Sequence, residues 1–149
     1  IIGASAVQPS SRRNTVLRAV FTELQRRAVM AFPDEDVVFG ARFNDPGALE
    51  LYKPLSNLIP RPDHRASGEE RAWGRRFVKR FGLSSLSYDE KSFMAIGDGS
   101  QPCVFDHTSL KPEGIPAETN ELFKDLNMER GDTVVAWGWA MSEDLAKLA

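Results

Sequence analysis

Apolar residues recur with helical spacing near the start of the chain. Leu17, Val20, Phe21, Leu24, Ala28, Ala31 and Phe32 fall on one face at about 100° per residue. The spacing predicts an amphipathic helix packed on a core. Asn14 or Thr15 can cap it, and Pro33 stops it. Beyond the acidic turn Pro33-Asp34-Glu35-Asp36, the run Val37 to Phe43 is β-branched and aromatic and reads as a strand.

Residues 44–66 lose this regularity. Pro46, Pro54, Pro60 and Pro62 interrupt them, so one or two helical turns between Ala48 and Leu58 are the most that Pro54 allows. Loops of this length are uncommon inside compact domains and are usually functional or laid against a partner. The pattern then sharpens. Ser67 with Glu70 three residues on is a capping-box spacing, and Gly82 suits the position just past a helix, where φ is often positive. A helix is expected over 68–81.

Strand-like runs follow. Leu83 to Ser87 reads as a short strand. Lys91 to Ile96 and Pro102 to Thr108 flank the glycine-rich turn Gly97-Asp98-Gly99-Ser100-Gln101, which predicts a hairpin. Ala117 to Met128 reads as a helix, with Leu122, Phe123 and Leu126 inward. Thr133 to Ala140 alternates, so Val135, Trp137 and Trp139 share one strand face, and Val134, Ala136, Gly138 and Ala140 the other. Ser142 can cap a short helix after it. The mixture predicts a single globular α+β domain over 1–149. It would hold a small, mostly antiparallel sheet of about four or five strands with helices packed mainly on one face.

Composition narrows the functional classes. The chain has 149 residues, 42% hydrophobic and 27% charged, the balance of an ordinary globular protein. Its single cysteine, Cys103, excludes an intrachain disulfide and any multi-cysteine metal site. No apolar run approaches the roughly 18 residues that a membrane span needs. The chain opens Ile1-Ile2-Gly3 without an initiator methionine, as an organelle-processed or trimmed chain would. Its compartment is not otherwise marked.

Charge is unevenly distributed. Residues 1–82 carry 14 Lys or Arg against 9 Asp or Glu, and residues 83–149 carry 5 against 12. The helix expected over 68–81 concentrates the cations: Arg71, Arg75, Arg76, Lys79 and Arg80 lie on one arc, with Trp73, Phe77, Val78 and Phe81 on the opposite one. Arg61 and Arg65 lie just upstream. Such a helix is either a solvated face, a dock for an acidic protein surface, or a binder of RNA or anionic lipid phosphates. The net charge of −2 and the absence of any RNA-binding motif weigh against nucleic acid.

Two further features could carry chemistry. Trp137 and Trp139 could form a stacking platform for a small ligand or a base, with nearby arginines; core packing is the ordinary role of such residues. Cys103, Asp106 and His107 resemble a nucleophile cluster. On a strand, however, Cys103 and His107 stand about 13 Å apart, and Asp106 and His107 point to opposite faces. A dyad there needs a sharp bend in the segment or another residue; an enzyme site would lie around Asp106 and His107, with Arg42 or Asp98 as further members. Gly97-Asp98-Gly99 lacks the lysine of a phosphate loop, and Arg130-Gly131-Asp132, an adhesion tripeptide in spelling, reads as a turn into a strand. No metal or cofactor is expected. The reading that follows is a non-catalytic subunit or interaction module, docked on other protein subunits through the basic helix and the Pro-rich segment before it.

Overall fold

The computed structural model describes residues 1–2, 12–99 and 114–144. Its elements run α1 (Arg13–Ala31), β1 (Val37–Phe43), α2 (Pro46–Glu50), β2 (Ser56–Ile59), α3 (Gly68–Arg80), β3 (Tyr88–Asp89), β4 (Met94–Ala95), α4 (Ala117–Glu121) and β5 (Thr133–Ala140). The α+β class and the antiparallel sheet match the expectation. Among the described residues five strands form the sheet, and β5 is its centre. β1 lies along one side of β5 over its whole length, from Val37 opposite Ala140 to Phe43 opposite Val134. The other side is shared. β2 pairs with Trp137 and Trp139, and β4 pairs with Thr133 and Val134.

The long helices divide between the two faces of the sheet, where one covered face was expected. β5 is buried along nearly its whole length, so both of its faces require cover. On one face Phe21 of α1 meets Phe39 edge-on at 6.1 Å and lies 3.9 Å from the Tyr52 ring. On the other, Phe77 of α3 stacks at 5.7 Å on Trp137. Gly40 makes that second contact possible. A Cβ there would lie 2.2 Å from the Phe77 ring, so only glycine lets α3 settle against β1.

The buried stripe of α1 is Arg13, Leu17, Phe21, Gln25 and Val29. The expected inward face is therefore rotated. Val20, Leu24 and Phe32 are exposed, because the aromatic contacts of Phe21 with Phe39 and Tyr52 fix the helix azimuth. Residues 44–66 are more ordered than their prolines suggested. Pro46 occupies the first turn of α2, where its missing N–H costs nothing. Leu49, Tyr52, Leu55, Leu58 and Ile59 all enter the core.

Three other expectations change. Leu83–Ser87 is not a strand; Ser84 caps a 3-10 turn at Ser85–Ser87, and Leu86 is 96% exposed. The expected hairpin about residues 97–101 has its second arm outside the described residues. Its first arm, at Met94–Ala95, pairs instead with Tyr88–Asp89 and with β5. The helix expected over 117–128 stops at Glu121. Beyond it i→i−3 backbone turns run on to Leu126, and side chains then take over: the Asn127 N–H donates to Asp132, and the Arg130 N–H donates to the Asn127 amide oxygen.

Asp132 organises this corner. Its fully buried carboxylate accepts from the Gly97 N–H at 2.9 Å, the Asn127 N–H at 3.1 Å, and Arg130 Nε and Nη2 at 2.8 and 2.6 Å. The Arg130 guanidinium, with the two backbone donors, holds the carboxyl down at about 2 despite its burial. Gly97 is required too, since a Cβ there would lie 2.0 Å from the Arg130 carbonyl. The Arg-Gly-Asp tripeptide is thus folded on itself, with its aspartate sealed from solvent.

Candidate functional site

α3 is where the predicted binding residues gather, and its ends are firmly set. Ser67 Oγ accepts from the Glu70 N–H at 3.1 Å, and Glu70 returns a bond to the Ser67 N–H. At the other end Gly82 has φ 73°; its N–H reaches the Lys79 carbonyl and the Leu83 N–H reaches Val78, a Schellman closure. Acidic residues at the first turn and Lys79 and Arg80 at the last complement the helix dipole.

The basic arc is not uniform. Arg75 is paired at 2.7 Å with Glu90, from the turn between β3 and β4, and Arg71 lies 3.8 Å from the same carboxylate. Arg71 also donates to the Ala66 carbonyl. Arg76 lies over the Trp73 ring, 4.7 Å from its centroid. Arg65, Lys79 and Arg80 have no carboxylate partner among the described residues. Three of the cations, Arg76, Lys79 and Arg80, line a groove of about 780 Å³ whose apolar walls are Val38, Trp73 and Phe77. Among the described residues none that lines the groove is acidic.

Arg61 belongs elsewhere. It donates to the Leu58 carbonyl and to His64 Nδ1, at 3.2 and 3.1 Å. An arginine can only donate, so Nδ1 must accept and the ring proton sits on Nε2. That nitrogen lies 2.8 and 3.0 Å from the two Glu70 carboxylate oxygens. Burial alone would raise the Glu70 carboxyl, but the bonds from His64 and Ser67 outweigh it and hold it below its ordinary value. Both His64 nitrogens are committed, so the histidine braces the start of α3 and has no free nitrogen for acid–base work.

The tryptophans separate in role. Trp137 is 1% exposed, packed between Phe77 and Phe93, so it cannot stack on a base. Trp139 is half-buried and meets Trp73 at right angles, with centroids 5.4 Å apart. Both line a second cleft, of about 460 Å³, between the start of α3, β2 and the end of β5. Arg61, Asp36, Glu69 and Glu70 contribute its charged groups. Asp36, Glu69 and Trp73 were not sequence candidates for a joint site. Asp36 lies more than thirty residues before Glu69 and Trp73, which share α3, and it meets them only through the packing of that helix on the sheet.

Cys103, Asp106 and His107 lie outside the described residues. Arg42, a conceivable helper for them, donates to the Thr133 hydroxyl at 3.2 Å. Among the described residues no group of three or more His, Cys, Asp or Glu could hold a metal ion, and no helix is long and apolar enough to cross a membrane. Comparison with known proteins leaves the site to speak through its geometry alone: no family model matches the chain, and no curated protein or solved structure matches it.

Proposed function

We propose that this chain is a non-catalytic subunit or interaction module that docks on an acidic protein surface through α3. The observation that supports it is the groove between α3 and β1. Arg76, Lys79 and Arg80 converge there on an apolar floor, with no carboxylate among the described lining residues. Cations around an apolar strip favour a partner with carboxylates flanking an apolar anchor. The docking surface is narrower than the sequence suggests. Arg71 and Arg75 are engaged with Glu90, and the apolar residues of the Pro-rich segment are spent on this chain's own core.

The test is recovery of partners from native source with an affinity-tagged chain, beside the triple variant Arg76→Glu, Lys79→Glu, Arg80→Glu. The expected result is a stoichiometric protein partner for the parent chain, lost from the variant while its thermal unfolding stays unchanged. Charges at an interface rim act mainly on association rate, so complex formation should slow as salt is raised. A chain recovered alone as a monomer, or a partner retained by the triple variant, overturns the proposal.

A further inference from the structure

The tryptophan cleft differs in character from the basic groove beside it. Its charged groups are three carboxylates, Asp36, Glu69 and Glu70, against the single guanidinium of Arg61. The N-terminus of α3 adds roughly half a positive charge, which still leaves the cleft negative overall. Arg61 and Glu70 are tied to each other through His64. Asp36 and Glu69 are exposed and have no partner among the described residues, so their charge is directed at whatever enters.

Shape narrows the ligand further. The Trp73 and Trp139 rings stand at 90°, forming two walls of a corner. Ile59, Trp137 and Met141 supply apolar lining behind it. A ring face attracts cations through its quadrupole, and an aromatic corner with carboxylates at its mouth suits a cation that carries methyl groups. The ring faces favour a methylated cation, which is weakly hydrated, over a bare ammonium, which is strongly hydrated, and an anion would meet the carboxylates. Arg76 already occupies the approach to Trp73 from the groove side, which leaves Trp139 as the principal wall.

We infer that this cleft binds a quaternary ammonium group, in the corner where the Trp139 and Trp73 rings meet and opposite Asp36 and Glu69. The inference goes beyond docking through α3 and uses other charges. The group could be carried by a choline-type small molecule or by a trimethylated lysine; the shared chemistry is the methylated cation.

All three tryptophans of the chain line this cleft, so its intrinsic fluorescence reports on occupancy. Titrations would use tetramethylammonium, choline and a trimethyllysine amide at constant ionic strength. The neutral tert-butyl isostere of choline and unmethylated lysine amide are the controls. The expected result is a saturable emission change with the methylated cations, with binding at least about tenfold weaker for both controls. Asp36→Asn with Glu69→Gln, at exposed positions, should weaken binding about tenfold while leaving the unfolding transition in place. Trp139→Leu should abolish it. Tighter binding of choline or of trimethyllysine supports the site and names its carrier. No saturable response to any methylated cation, an equal response to the neutral isostere, or unchanged affinity in the double carboxylate variant overturns the inference.

Discussion

Replacing Asp132 with asparagine preserves side-chain volume and removes one charge, which makes it a sharp probe of the corner that β5 starts from. The carboxylate accepts four hydrogen bonds there, two from backbone N–H groups and two from Arg130. An asparagine can accept with only one of its two heavy atoms. Two donors are therefore left facing an NH2 group in a buried site, beside an arginine without its counter-charge. Hydrogen bonds to charged groups contribute about 1.5–3 kcal/mol and a stranded buried donor costs about 1–3 kcal/mol, so an overall loss of about 3 kcal/mol is expected. For a chain of this length that lowers the unfolding midpoint by roughly 10 °C. The effect also has a pH signature. The Asp132 carboxyl falls from an ordinary 3.8 to about 2 on folding. The unfolded chain therefore takes up the proton first as pH falls. The stabilisation is complete above the ordinary carboxylate range, about half gone near pH 3, and lost as pH passes below about 2; in total it is worth about 2 kcal/mol. Urea unfolding of parent and variant at pH 7, 5 and 3 reads both effects. The gap between them should be widest at pH 7 and narrow by about 1 kcal/mol at pH 3. A variant within 1 kcal/mol of the parent, or a gap independent of pH, would refute the reasoning.

Other perturbations test the packing of α3. Gly40→Ala drives a methyl into the Phe77 ring and should cost about 2 kcal/mol by chemical denaturation; a loss below about 0.5 kcal/mol would mean that α3 can shift freely on the sheet. Tyr88 buries a hydroxyl with no partner among the described residues, so Tyr88→Phe should be neutral or stabilising by up to about 1 kcal/mol. The same hydroxyl would lie 2.5 Å from a Cβ at Gly74. Gly74→Ala should therefore destabilise the parent and be better tolerated with Phe at 88, as a double-mutant cycle of unfolding midpoints would show. Ser67→Ala removes half of the capping box and should cost about 1 kcal/mol, while Ser67→Asp, still able to accept from Glu70, should stay close to the parent.

What could be foreseen from the residues follows the range of the forces involved. Both ends of α3 are set by neighbours within six positions, the Ser67–Glu70 box and the Gly82 closure, and these were legible. The alternation of β5 was legible for the same reason. α1 shows where local spacing fails: its periodicity allowed several inward faces, and the distant rings of Phe39 and Tyr52 chose among them. The stretch after Glu121 has helical composition, yet it tightens to i→i−3 turns as far as Leu126, and the Asn127 and Arg130 N–H groups then turn to side chains, a geometry that spacing does not reveal. The candidate site divides in the same way. The cations of α3 could be read from its sequence, but their partial neutralisation by Glu90 could not. The corner of Trp73 and Trp139 joins a helix to a strand more than sixty residues away.

The central position of β5 also orders events in time. Among the described strands β1 and β2 pair only with β5, which emerges from synthesis roughly a hundred residues after β1. At ordinary translation rates that interval is on the order of ten seconds. Through it β1 waits without the partner that runs along its whole length, while the helices and the short β3–β4 pair can form locally. A truncation before Thr133 therefore removes not one strand but the partner of three.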